Sequence, residues 1–548
     1  MSVPGIKQVT VVVAILIAVV LLNCIDGTGR KEGPRLATTG ELDKTIGSVA
    51  EVVAFESVPV EGYGLVAGLA ETGSSECPPR IREYLKQFIL RRLPGLSKIS
   101  AEELVNSRDT AVVRIYGLIP SVASKGQRFD VVVVALEGTQ TTSLAGGRLY
   151  TAELSPYTGW KKSSRILADA QGPILIDKIE NNQVDERKGY ILGGGSVADN
   201  YRFALALTKP DYQLASAIRN RLNQRFEVGT ADAVSSGIIY LNLPDKYKGQ
   251  KTRFVSLVKA MYVTEQEQLA DQRISKLVRE LAVGKDKDAA EAGLEVIGKM
   301  SLKKLPLLLN SSDKEVRFRA ARCMLSLGDE SGLGMLREMA LKGPKQTRIE
   351  AINAIGRVAK RNDATAILKD LAGDGDFEVR MAAYEHLTRL EDISVTRQVI
   401  GGNFYLETVQ RGGPKVVYVS RRLEPKIVLF GGRIRCRQGF FVESADGSVI
   451  IDAPADKEFI SVMRRHPKRG TLMGPLQSSF ELVDIIKTLG EEPVRREEMR
   501  RIGLGLPYSD VAAILKKMCE KGVVPAEFHI GPSPELELNI KKFQSSDR

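Results

Sequence analysis

Residues able to do chemistry are sparse in this chain. Its three histidines, His386, His466 and His529, never stand at metal-ligand spacing, so a histidine metal site is not expected. His386 falls in a helical pattern and reads as a packing or surface residue. The five cysteines, Cys24, Cys77, Cys323, Cys436 and Cys519, form no Cys-x-x-Cys pair. Spacing does not single out a disulfide among them, and Cys323 and Cys519 lie in helical patterns where a small buried thiol is the commoner case. The usual signatures for acyl transfer, zinc proteolysis and phosphate cradling do not occur. Adjacent acids such as Glu102 and Glu103 point apart on a helix. No nucleophile, metal or cofactor site is nominated, and an enzyme is not expected.

One stretch calls for a decision, "EGYGLVAGLAETGSS" from Glu61 to Ser75. Gly62, Gly64 and Gly68 give Gly-x-Gly-x-x-x-Gly, one residue longer than the dinucleotide fingerprint. Nor does a clear parallel-sheet unit, with an acidic residue about 20 positions on, surround it. The reading to prefer is backbone bending beside the short strand "LVAGL".

The elements around it change texture along the chain. From about Ile46 to Leu154, β-branched runs such as "DTAVVRIYGL" and "RFDVVVVALEG" flank a turn at Ser124–Gln127. Between Tyr190 and Val263 a strand, a helix and a strand follow in order. That helix is expected to be capped by Asp211 and to carry Leu214, Ile218, Leu222 and Phe226 on one face. From about Gln266 to Leu390 the sequence repeats itself: three segments align through Arg317, Arg348 and Arg380, at steps of 31 and 32 residues. A weaker copy precedes them at Ala289. Each unit reads as two amphipathic helices, which bury their apolar stripes by stacking. After Ile400 strands return, and the end is helical, with Ser509 as N-cap and Gly522 as stop for the last helix.

The amino terminus carries an uncharged run of 14 residues, Val9 to Leu22, behind Lys7. This is shorter than the roughly 20 residues a membrane span needs and fits the core of a secretory signal. Cys24 in "LLNC" resembles the lipidated cysteine of bacterial lipoproteins, although Asn23 departs from the preferred small residue. The net charge of +12 suits an anionic partner. Its interspersion with acids, as in "RREEMRR", and the export signal argue against a nucleic-acid binder.

"VEGYGLVAGLAETG" at Val60 to Gly73 resembles a segment of the bacterial flagellar P-ring proteins. So does "AVVRIYGLIPSVASKGQRFDVVVVALEGTQTTSLAGGRLYTAEL", Ala111 to Leu154, through Gly126, Gln127, Asp130, Ser143, Leu144, Gly146, Gly147 and Leu149. Similarity covers Ile46 to Val263 and, loosely, Val417 to Ile530. The family usually continues as Gly-Thr-Gly-Asp where Glu71, Thr72, Gly73 and Ser74 stand here. The repeats have no counterpart in it and resemble HEAT-type repeats.

The resemblance implies an α+β fold. P-ring-like β-rich and mixed α/β domains, 46–185 and 186–265, would be interrupted by an all-α HEAT-like stack, 266–398. A β-rich P-ring-like segment, 399–480, and a helical end, 481–548, would follow, all behind a signal or anchor at 1–24 and a linker at 25–45. It further implies a non-catalytic periplasmic subunit that self-assembles into a ring around the flagellar rod at the peptidoglycan. Gly62, Tyr63, Gly64, Leu65, Gly68, Gly73 and the second motif's residues would then be structural or subunit-contact positions. The repeats would be an added arm docking an unidentified protein. The alternative is a lipid-tethered envelope adaptor unrelated to motility.

Overall fold

The computed structural model describes residues 44–92, 98–157, 165–178, 184–264, 267–465, 472–492 and 503–533. Cys24 and His466 lie outside them. Helices and sheets are both abundant, giving an α+β fold.

Strand β1 (Ala50–Val53) departs first, toward a later sheet. The next six strands close a barrel: β2 (Val58–Ala67), β3 (Thr110–Ile119), β4 (Arg128–Ala135), β5 (Arg148–Pro156), β6 (Ala168–Pro173) and β7 (Lys188–Val197). Their order around the barrel is β2-β3-β4-β7-β6-β5. The interior is filled by side chains such as Val113, Ile115, Val131 and Leu149. On the outside, the helices Pro79–Arg92 and Lys98–Val105 bury Leu65 and Val112 against Leu85 and Val105. Both faces of β3 are therefore covered, which is why "DTAVVRIYGL" reads as a continuous apolar run and not as an alternation.

β8 (Phe203–Leu207), β9 (Ala231–Ala233) and β10 (Ile238–Leu241) build the second sheet, in the order β1-β8-β10-β9. The helices Tyr212–Arg225 and Lys251–Ala260 bury Leu214, Ile218, Leu222 and Phe254 in its core. Asp211 caps the first of them, accepting from the amides of Gln213 at 2.7 Å and Leu214 at 3.0 Å. Two strands thus cross the boundary that the sequence drew at 185. β7, grouped there with the mixed segment, closes the barrel, and β1, grouped with the β-rich segment, joins the α/β sheet. Side-chain pattern does not record pairing partners.

The helices Glu267–Val283, Lys287–Ile297, Lys314–Ser326, Ser331–Lys342, Lys345–Val358, Arg361–Leu371 and Phe377–Arg389 stack in order. Asp286, Asp313 and Asp376 cap three of them at equivalent positions. The repeat is imperfect at both ends. After Lys287–Ile297 the second helix is replaced by two 3-10 turns, Lys299–Lys303 and Leu305–Asn310, the latter with a proline in its first turn. After Phe377–Arg389 the partner is a sheet.

That sheet comprises β11 (Val395–Ile400), β12 (Phe404–Val409), β13 (Val416–Val419) and β14 (Lys426–Phe430). A second, four-stranded sheet holds β15 (Phe440–Glu443), β16 (Val449–Ala453), β17 (Ile460–Arg465) and β18 (Leu472–Ser478). The helices Leu482–Gly490 and Tyr508–Glu520 share one core with both sheets. Strand β19 (Glu527–Ile530) completes the first of them, in the order β11-β12-β14-β13-β19. The end of the chain is therefore not purely helical. Pro507, not Ser509, is the N-cap of the last helix, because proline's fixed φ and missing N–H suit that entry, while Gly522 ends it at φ 68°.

Candidate functional site: the glycine-tailored end of the barrel

The residues singled out from sequence converge on the barrel. Gly62 and Gly64 lie within β2, where its pairing with β5 breaks register between Glu61 and Val66. A Cβ on Gly62 would stand 2.3 Å from the Glu153 carbonyl oxygen, and one on Gly64 would stand 2.8 Å from Leu149 and 2.9 Å from Ile115. These glycines admit close approach of backbone and core side chains. They do not bend the strand as expected, since neither has positive φ. Tyr63 is half-buried, opposite Arg114 across the β2–β3 pair, and Leu65 is buried under the outer helices.

β2 then ends in a left-handed run: Gly68 at φ 83°, Ala70 at 47° and Glu71 at 72°. The turn brings Gly73 so close to β3 that a Cβ there would lie 2.1 Å from the Thr110 carbonyl oxygen. The loop carrying Ser143 and Leu144 closes over it. Thr142 donates its amide to Thr72 O at 2.9 Å, and Thr72 Oγ1 donates to Ser143 O at 2.9 Å. Gln140 binds Glu76 through both its amide and its side chain, each at 3.0 Å. Leu144 is fully buried, and a Cβ on Gly147 would meet Leu69 and Val66 at 2.6 Å. Gly146, at φ 74° with open space around it, only turns the chain. The two motifs are thus halves of one hydrogen-bonded barrel end. Within it Gly73 N donates to Arg108 O and Ser74 N to Thr110 O, each at 2.9 Å, and Glu71 N to Asp109 Oδ1 at 2.8 Å.

Gly126, at φ 77°, makes the expected turn, and Gln127 Oε1 accepts from the Ser124 amide at 3.1 Å. Asp130 does something the sequence does not reveal. Its Oδ1 accepts from Gly193 N of β7 at 2.7 Å and from Leu423 N of the carboxy-terminal unit at 2.8 Å. Arg421 and Asp177 pair nearby at 3.0 Å, and Lys178 and Asp510 at 3.1 Å. Sequence reasoning also passes over Gly117 and Gly195, which leave room for the Phe129 ring inside the barrel; their Cβ atoms would lie 2.6 and 2.5 Å from it. A period-two pattern that places a large ring opposite glycine on a neighbouring strand was the signal available.

The repeat-aligned arginines tie loops to their neighbours. Arg317 donates to Ser311 O at 2.5 Å, Arg348 to Ala340 O at 2.9 Å and Arg380, almost fully buried, to Pro414 O at 2.6 Å. The last of these helps fasten the stack to the sheet, with Phe377 stacked on His529 at 4.0 Å and the Tyr384 hydroxyl on Glu407. At its other end the stack is held by Arg225, which donates to Glu295 O at 3.0 Å. The stack is thus hydrogen-bonded to its neighbours at both ends.

Burial lifts the thiols of Cys436 and Cys519 to about 12, and raises those of Cys77 and Cys323 as well, so thiolate is scarce at neutral pH. Burial, then Arg389 and Arg357, lowers His386 to about 4. It is a neutral, buried imidazole between Asn353 Oδ1 and Arg389, both at 2.9 Å. Among the described residues no helix is long and apolar enough to cross a membrane.

A barrel trimmed by glycine for close packing, hydrogen-bonded shut at one end and buttressed by a small α/β layer, defines a structural module. The family described as flagellar P-ring protein matches residues 45–276. The flagellar P-ring protein of Anaeromyxobacter dehalogenans (strain 2CP-C) is 31% identical over 246 residues, covering 42% of this chain and 62% of the relative. That of Thermotoga maritima is 30% identical over 218 residues, 37% of this chain and 61% of the relative. The chain spans about three fifths of the length of the curated relatives it matches. The matched region holds the barrel, the α/β layer and the start of the helical stack.

Proposed function

We propose that the chain is a non-catalytic subunit that assembles with copies of itself into a ring around the flagellar rod, in the periplasm at the peptidoglycan layer. The match over residues 45–276 carries this reading, because it covers both the barrel and the α/β layer. The segment 399–533 is read as the remainder of the P-ring fold. Asp130 and the Arg421–Asp177 pair support that, since they join it to the barrel across the insert. The HEAT-like stack is a rigid insert whose free faces offer a surface to another protein. Negative-stain images of the purified chain, alone and with cell-wall fragments, test assembly: rings or arcs are expected, and strictly monomeric particles at high concentration would refute it.

A second reading keeps the scaffold and drops the organelle: a lipid-tethered envelope adaptor whose stack captures a partner. The firm seating of the stack at both ends favours a role for its surface in either case. Mass spectrometry of the amino terminus decides whether Cys24 bears a lipid, and loss of swimming on gene deletion separates the two readings.

A further inference from the structure

Between β14 and β15 the residues Arg433, Ile434, Arg435, Cys436 and Arg437 alternate strictly in burial. Ile434 and Cys436 enter the carboxy-terminal core, and the three arginines are exposed. The segment is paired antiparallel through Arg435 and Glu481, so the arginines leave it on one side about 6–7 Å apart, in a row about 13 Å long. The end of the last helix extends that row. Arg437 N donates to Val523 O at 2.9 Å, and Arg437 Nη1 lies 3.9 Å from where a Cβ on Gly522 would stand, next in the chain to exposed Lys521. Lys521 Nζ donates to Phe441 O at 3.2 Å, and Lys517 Nζ to Glu443 O at 2.6 Å. Phe441, joined to the row in this way, is 53% exposed.

The neighbouring acids do not pair with the row. Among the described residues, none of Arg433, Arg435, Arg437, Lys517 and Lys521 lies within ion-pair distance of a carboxylate. Glu520 pairs with Lys516 at 3.8 Å, and a Glu443 carboxylate oxygen is turned toward the β15–β16 turn, 3.1 Å from a Cβ position on Gly447. By register Glu481 stands across from Arg435 and Asp452 across from Phe441. The cations outnumber these acids.

We propose that this face, Arg433, Arg435, Arg437 and Lys521 around Phe441, docks on the surface of an anionic lipid bilayer. The cations complement phosphate headgroups, and the exposed ring supplies an apolar contact that a bilayer interface accepts and a soluble polyanion does not. Long side chains set out in a row suit an extended charged surface better than one small anion. The inference goes beyond the ring reading and does not depend on it.

The test is vesicle co-sedimentation of the chain from Ile25 onward, which keeps every described residue, with phosphatidylcholine vesicles containing either no or roughly 30% phosphatidylglycerol. Binding to the anionic vesicles alone is expected at about 0.1 M salt, and its loss at about 0.5 M. Arg433→Gln and Arg437→Gln should each weaken it about fivefold and together about 25-fold, whereas the same pair changed to lysine retains most of it. Phe441→Ser should weaken it about fivefold. These side chains are exposed, so the urea midpoint should not move. Equal binding to both vesicle types, binding unchanged in the glutamine pair or in Phe441→Ser, full competition by soluble glycerol phosphate, or binding to cell-wall fragments without binding to anionic vesicles would overturn the assignment. Negative stain reports ring formation separately, so failure of that reading is distinguishable.

Discussion

Replacing Gly62 by alanine separates close packing from ligand binding as the reason for the glycines. The new Cβ would sit 2.3 Å from Glu153 O and 2.9 Å from Leu154, on a strand that is itself paired to β6 through Glu153 and Asp169. Relief needs about 1 Å of backbone movement in a barrel that has no free edge, and overpacking of this kind costs about 2–3 kcal/mol. Gly146→Ala is the control. Its Cβ meets nothing within 4 Å, so only the φ of 74° is penalised, at about 1 kcal/mol. Urea unfolding followed by circular dichroism should give both values with an unchanged m. If Gly62→Ala fell within about 0.5 kcal/mol of wild type, or cost less than Gly146→Ala, the packing argument would fail.

Three further outcomes follow from the geometry. Glu71, at φ 72°, stands where the P-ring pattern has glycine, so Glu71→Gly should stabilise the chain by about 0.5–1 kcal/mol in the same urea assay, and a loss would contradict the strain. Asp130→Ala leaves the Gly193 and Leu423 amides without their acceptor; a loss of about 2 kcal/mol and a separate early melting transition for the carboxy-terminal unit are expected by calorimetry. His386, lowered from 6.5 to about 4 in the fold, binds a proton more readily once unfolded. It therefore contributes stability that is present above pH 6.5 and lost as pH falls toward 4, up to about 3 kcal/mol. His386→Gln should flatten that part of the urea-midpoint profile, and an identical slope would refute the buried-neutral assignment.

Much of this was legible because local chemistry dictates it. The Asp211 cap, the Gly126 turn, the Gly522 stop and the helical period at Arg317, Arg348 and Arg380 each depend on a few neighbouring residues. The glycine motifs could be seen but not explained, since Gly62 and Gly73 answer to the Glu153 and Thr110 carbonyls, distant in sequence. Pairing is equally non-local: β1 and β7 cross the boundary at 185 because their partners, β8 in one case and β4 and β6 in the other, lie elsewhere in the chain. Asp130 stood out only as a motif residue with an expected structural or subunit-contact role, and its partner Leu423, 293 residues away, could not be read from the sequence. The second helix of the first repeat gave way to 3-10 turns where Pro306 interrupts the expected helix.

Electron cryotomography of flagellar motors in cells that make this protein, compared with a deletion strain and the complemented strain, tests the ring assignment most directly. Ring density around the rod at the peptidoglycan layer should vanish on deletion and return on complementation, with extra mass where the helical stack sits. Motors with an unchanged ring in the deletion strain would contradict it.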